Sequence, residues 1–299
     1  MNGLGRNAVR LLSGLGLGAL IVTVQPGVPQ HLSLARIGDR TNVALADDGE
    51  KGGPGRDILV FVDESGSTDR QFDVYRRALL ERIIPGLEGG DRLRVAPIVA
   101  DNSLVSSFMA EAVLPANPVF DGLSDNEIDY NSEIKKDKAR NQGIRDQLIA
   151  TMKKKLAKSG KAPYTDLFGA SRMASQLFSA DRRRPVLVFL SDMQEDRGRF
   201  RYQTMKWGTR DLERVEKAYG FPDLKDVCVY VIGTRSPSIE KTRRMGEFWM
   251  TYFRKSGASI GPAQMGSMLM NWPPAASCGK PRVVPQVSQS WFDRIKKKL

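Results

Sequence analysis

The 299-residue chain is 41% hydrophobic, enough to bury one large domain or two small ones. Lys and Arg outnumber Asp and Glu by 46 to 34, a formal charge of +12 that suits anionic partners or marks a basic, solvated surface. Two cysteines, Cys228 and Cys278, and one histidine, His31, leave no room for a disulfide framework, a Cys-rich zinc site, a His-based metal centre or a Ser-His-Asp triad in a folded domain.

In chain order, residues 1–25 carry Arg6 and Arg10 ahead of the apolar stretch Leu11–Val24. A basic start and a short apolar run predict a signal peptide or N-terminal membrane anchor, and hence export or attachment to the cell envelope; the cytoplasm is the alternative. Residues 26–56, with Pro26, Pro29 and the Gly52-Gly53-Pro54-Gly55 run, read as a linker. The folded domain is expected over 57–258.

Asp57-Ile-Leu-Val-Phe-Val-Asp63 is a continuous apolar run closed by a carboxylate. Such a run suits a strand buried on both faces. Phe72, Tyr75, Leu79 and Ile83 then recur at helical spacing. Pro85-Gly86 and Gly89-Gly90 break the chain before a strand over 91–100, and Leu104–Val113 reads as its hairpin partner. Ser124-Asp-Asn-Glu127 resembles a capping box ahead of a long polar helix with Ile144, Leu148, Met152 and Leu156 on one face. The lysines at 153–155 and 158 read as its solvated face.

Thr165 precedes a helix whose stripe is Leu167, Ala170, Ala174 and Leu177, and Val186–Asp192 is a second buried-strand pattern ending in an acid. The charged run from Gln194 to Arg199 reads as an exposed loop. A helix is expected over 212–219, a third buried strand over 226–233, and a last helix over 239–255 closed by Gly257. Cys228, inside the third strand, reads as a small core side chain, and its pairing with Cys278 is left open. Residues 259–299 form a Pro- and Met-rich extension. Trp291, Phe292, Ile295 and Leu299 fall on one helical face with cations opposite, a pattern that fits an anionic membrane surface, a partner groove or a tail docked on the domain. Strands alternating with helices imply an α/β fold, a parallel sheet covered by helices on both faces.

The chemistry concentrates where the first strand gives way to a helix. Asp63-Glu64-Ser65-Gly66-Ser67 offers only oxygen ligands, which suit Mg²⁺ or Mn²⁺, at the sheet edge where α/β folds bind ligands. No Gly-x-x-x-x-Gly-Lys-[Ser/Thr] phosphate loop occurs. Ser65 stands where an aspartyl-phosphate phosphatase would need its second Asp.

Asp63-x-Ser65-x-Ser67 after a hydrophobic strand resembles the metal-ion-dependent adhesion site of von Willebrand factor A domains. The two further pieces of that site follow in order, Thr165 before a helix and Asp192 at the end of a strand. The resemblance runs from about 57 to 258. It implies a doubly wound, mostly parallel sheet with one antiparallel edge strand, in the Rossmann-like manner. It further implies a non-enzymatic domain that holds Mg²⁺ or Mn²⁺ and captures a Glu or Asp carboxylate of a partner protein. Ser65 and Ser67 would coordinate directly, Asp63 and Asp192 mainly through water, and Thr165 directly or through water. Two departures stand out. The family's Thr-Asp-Gly is here Ser191-Asp192-Met193, and Thr68 stands where Met is common. The alternative function is a nucleic-acid-binding protein of the same fold that uses the basic surface.

Overall fold

The computed structural model describes residues 55–99, 107–118, 120, 122, 126–157, 162–178 and 183–281. The leader or anchor expected at 1–25, most of the expected linker and the basic tail beyond 281 lie outside those residues.

A six-stranded sheet runs in the order β3-β2-β1-β4-β5-β6. β1 (Arg56–Asp63) is buried along its whole length, because it pairs in parallel with β2 (Arg92–Ile98) on one side and β4 (Arg184–Leu190) on the other. β5 (Cys228–Ile232) and the short β6 (Met265–Gly266) extend the parallel half. β3 (Ala110–Val113) closes the other edge antiparallel to β2, as the hairpin pattern predicted, but it is shorter than the expected Leu104–Val113 strand, since residues 107–109 are not strand and 104–106 lie outside the described residues.

Residue parity along each strand divides the core. Leu59, Phe61, Leu187, Phe189, Val229 and Val231 face one layer of helices: α3 (Leu167–Phe178), α4 (Thr209–Tyr219) and α5 (Ile239–Lys255). Ile58, Val60, Val62, Val186, Val188 and Leu190 face the other: α1 (Phe72–Arg77) with its π-helical continuation Ala78–Ile83, and α2 (Glu127–Lys155). A strand clamped between two helical layers must be apolar on every residue, which is why these runs show no alternation. The fold is therefore α/β with one antiparallel strand in a mostly parallel sheet and helices on both faces.

Two local expectations change. α2 is capped by Asn126, whose side chain accepts the Ile128 amide, rather than by a box starting at Ser124. The sheet also does not end at Ala258. β6 adds a strand, and Cys228 is disulfide-bonded to Cys278, which ties the segment after β6 to the start of β5. Cys228 is buried as expected, but as half of a cross-link. Arg184 reinforces this attachment by donating to the carbonyls of Ala275 and Cys278.

Candidate functional site

The strand order places the site. From β1 the chain moves outward to β2 and β3, then returns to lay β4 against the opposite side of β1. Connections therefore leave the carboxyl ends of β1 and β4 in opposite directions, and a crevice opens between them. Asp63 is the last residue of β1, and Asp192 follows β4 by two residues. The β1–β4 register pairs Val62 with Leu190, so Ser191 comes level with Asp63 and donates its hydroxyl to Asp63 Oδ2 at 2.6 Å.

The β1 loop turns tightly. Ser65 donates its amide to Asp63 Oδ1 at 3.0 Å, and Thr68 Oγ1 donates to the Asp63 and Ser65 carbonyls. A 3₁₀ turn over Gly66–Thr68 follows, with the Ser65 and Ser67 hydroxyls 3.0 Å apart. The loop carrying Thr165 comes alongside through a single parallel bridge between Ser65 and Ala162. Ser65, Ser67 and Thr165 thus line one cavity of about 220 Å³, together with Tyr164, Gln194 and Tyr202.

Behind the hydroxyls sit the two acids, 0% and 1% exposed for Asp63 and Asp192. Burial raises the Asp63 carboxyl, against the hydrogen bonds from Ser191 and Ser65. Asp192 is pushed up to about 7, first by burial and then by the charge of Asp63, while the Gln194 amide and the nearby Ser67 hydroxyl pull the other way. Asp192 Oδ1 accepts that Gln194 amide at 3.0 Å, but Oδ2 is buried with no hydrogen-bond partner. A buried carboxylate oxygen without a hydrogen-bond partner, next to the charge of a second carboxylate and eased only by the nearby Ser67 hydroxyl, is costly. A cation removes that cost.

The donor chemistry fits a hard divalent ion. Among the described residues no group of three or more His, Cys, Asp or Glu side chains is placed to hold a metal. Here the donors are two carboxylates and the hydroxyls of Ser65, Ser67 and Thr165, all oxygen, as Mg²⁺ and Mn²⁺ prefer. Both Asp63 oxygens already accept protein donors, so its remaining lone pairs suit a water-mediated role. All five residues singled out in the sequence therefore come to one sheet edge.

The loop after Asp192 departs from its sequence reading. Met193 takes φ 63, the left-handed conformation natural to Gly. It is held there by three contacts. Its amide donates to Ser191 Oγ at 2.9 Å, its carbonyl accepts the Trp249 indole at 3.0 Å, and its side chain is fully buried in the core. Glu195, expected in an exposed charged loop, is 1% exposed. Burial and the charge of Asp166 raise its carboxyl well above the ordinary value, although three backbone amides donate to it. No local pattern announces this, because two of the three amides, those of Leu167 and Phe168, belong to the first turn of α3, far away in sequence.

No family model matches the chain, and no curated protein matches it. Among solved structures it is similar to the pilus adhesin SpaC of Lactobacillus rhamnosus GG in its open conformation, at 12% identity and a TM-score of 0.37 over 72% of this chain. The match spans 28% of the adhesin chain. At that identity and score the likeness does not extend to function.

Proposed function

We propose that this chain is a metal-dependent protein-binding domain of the von Willebrand factor A type. In this reading Asp63, Ser65, Ser67, Thr165 and Asp192 hold Mg²⁺ or Mn²⁺. The observation that carries it is the buried, unpartnered Asp192 Oδ2, set beside Asp63 at the crevice between β1 and β4 and next to a cavity walled by three hydroxyl residues. When bound, the ion supplies an electrophilic position for a Glu or Asp carboxylate of a partner protein.

The chain's own groups do the rest. Hydroxyl and amide side chains make up most of the cavity's lining and Asp196 is its one carboxylate, so an incoming acid meets a single like charge at the wall. The two acids lie buried behind them, and Ser191 and the Ser65 amide fix Asp63 in place. No described lining residue of the cavity is Lys or Arg, which disfavours a nucleic-acid backbone at this edge. The Cys228–Cys278 cross-link supports an exported or envelope-associated protein, since disulfides persist mainly in oxidising compartments. Among the described residues no helix is long and apolar enough to cross a membrane. The anchor expected at 1–25 lies outside those residues.

Calorimetric titration of the wild type and of Asp63→Ala with Mg²⁺ and with Mn²⁺ tests the reading. Saturable heats are expected for the wild type and none for the variant. Equal heats from both refute the site.

A further inference from the structure

We infer that Glu195 is a positioning residue that holds the Thr165 loop against the metal-binding edge; the inference rests on the metal reading above. Helix α3 opens immediately after Thr165 and Asp166, and the first amides of any helix lack intrahelical acceptors. Here they are shared between two buried carboxylates. Asp166 Oδ1 takes the Gly169 amide at 2.8 Å. Glu195 Oε2 reaches across from the β4 loop to take the Leu167 amide at 2.7 Å and the Phe168 amide at 3.3 Å. Its other oxygen, Oε1, accepts the Arg197 amide at 3.0 Å.

One side chain thus staples the loop after Asp192 to the helix that follows Thr165. Two further bonds close the same seam. The Asp196 amide donates to the Thr165 carbonyl at 3.1 Å, and Arg197 pairs with Asp166. Thr165 is bracketed: Ala162, three residues before it, is bridged to Ser65, and the two residues after it are tied to the β4 loop. The hydroxyl of Thr165 comes from a loop, which has no ladder of its own to fix it, so its distance to Ser65 and Ser67 is set by these cross-links. A carboxylate suits this duty because its two oxygens accept amides from both segments at once, and the positive end of α3 favours the negative charge.

The burial has a further consequence. A Glu placed there only to solubilise a loop would point outward, whereas this one is desolvated and fully committed to backbone donors. Substituting Gln leaves one acceptor oxygen and puts an NH₂ group against an amide donor. The seam then opens on one side while the core packing of α3 remains.

The test uses Mn²⁺ binding to the full chain, read by affinity and by water-proton relaxation, which counts water molecules on the bound ion. Wild type, Thr165→Ala, Glu195→Gln and the double variant are compared. The expected Glu195→Gln result is an affinity loss of about ten- to a hundredfold, the range found when groups that orient metal ligands are removed. It is also expected to show the higher hydration number of Thr165→Ala, with the double variant no worse than either single. Weaker binding at an unchanged hydration number, with losses that add, would mean Glu195 only supports the fold and would overturn the inference. Unchanged affinity and hydration would also overturn it. Absence of Mn²⁺ binding to the wild type would sink the metal reading itself, a distinguishable failure. A wild-type measurement covers the case in which Glu195→Gln does not fold. Because coupling is reciprocal, Mg²⁺ should slow hydrogen exchange at the Leu167, Phe168 and Arg197 amides more than at α4. Equal slowing everywhere would overturn the positioning role.

Discussion

Asp192→Asn should stabilise the metal-free protein while abolishing its response to Mg²⁺. Asp192 has one buried oxygen without a donor and the Asp63 carboxyl as neighbour, and its pKa rises from the ordinary 3.8 to about 7. The sign follows from linkage. A carboxyl with a raised folded pKa adds stability that is complete below the unfolded value near 4 and is lost as pH climbs through about 7. At about 1.36 kcal/mol per pH unit, the loss approaches roughly 4 kcal/mol at pH 8. Asn keeps the oxygen that accepts the Gln194 amide and removes the charge. In chelator the variant and wild type should therefore have similar stability near pH 4. At pH 8 the variant should melt higher by roughly 8–16 °C, taking 2–4 °C per kcal/mol for a domain of this size. Adding Mg²⁺ should raise the melting temperature of the wild type alone, because ligand stabilisation requires binding to the native state. Thermal denaturation followed by circular dichroism, with chelator or Mg²⁺ at both pH values, is the assay. If the variant in chelator at pH 8 is no more stable than the wild type and still gains stability from Mg²⁺, Asp192 is not the strained ligand described here.

Other outcomes follow from the same structure. Thr165→Ala should fold normally and lose Mg²⁺-dependent capture of its partner from a cell-envelope extract, while Lys154→Glu on the exposed face of α2 should change capture only modestly and in a salt-sensitive way. Capture that survives chelation and Thr165→Ala but collapses with Lys154→Glu would reverse the reading. Replacing Cys228 and Cys278 by Ser should cost about 4 kcal/mol by the loop-closure argument, measured by urea denaturation, because the cross-link spans 50 residues of sequence. A fusion of residues 1–56 to a reporter active only outside the cytoplasm should be active; a stable but silent fusion argues against export.

The periodicities were sufficient for the central strands and the helices that cover them, but not for the edge strand β6. Unbroken apolar runs at 58–62, 186–190 and 228–232 mark strands buried on both faces, and the stripe from Leu167 onward marks a helix, because each pattern reports burial of consecutive neighbours. The location of Asp63, Ser65, Ser67, Thr165 and Asp192 at strand and helix boundaries was equally legible, since boundaries are local events. The pairing order was not. Only the folded sheet sets β4 beside β1 and so brings Asp192, far along the chain, next to Asp63. The same holds for Glu195. Its sequence surroundings are those of a solvated loop, and its burial depends on amide donors at Leu167 and Phe168 that local pattern cannot reveal. Met193 shows the converse case: its side chain forbids nothing but disfavours φ 63, and only Trp249, Ser191 and a closed core around it select that conformation. Local sequence encodes which residues are buried and where elements end; contacts between distant segments, and the charges and orphaned atoms they create, exist only once long-range packing has chosen the neighbours.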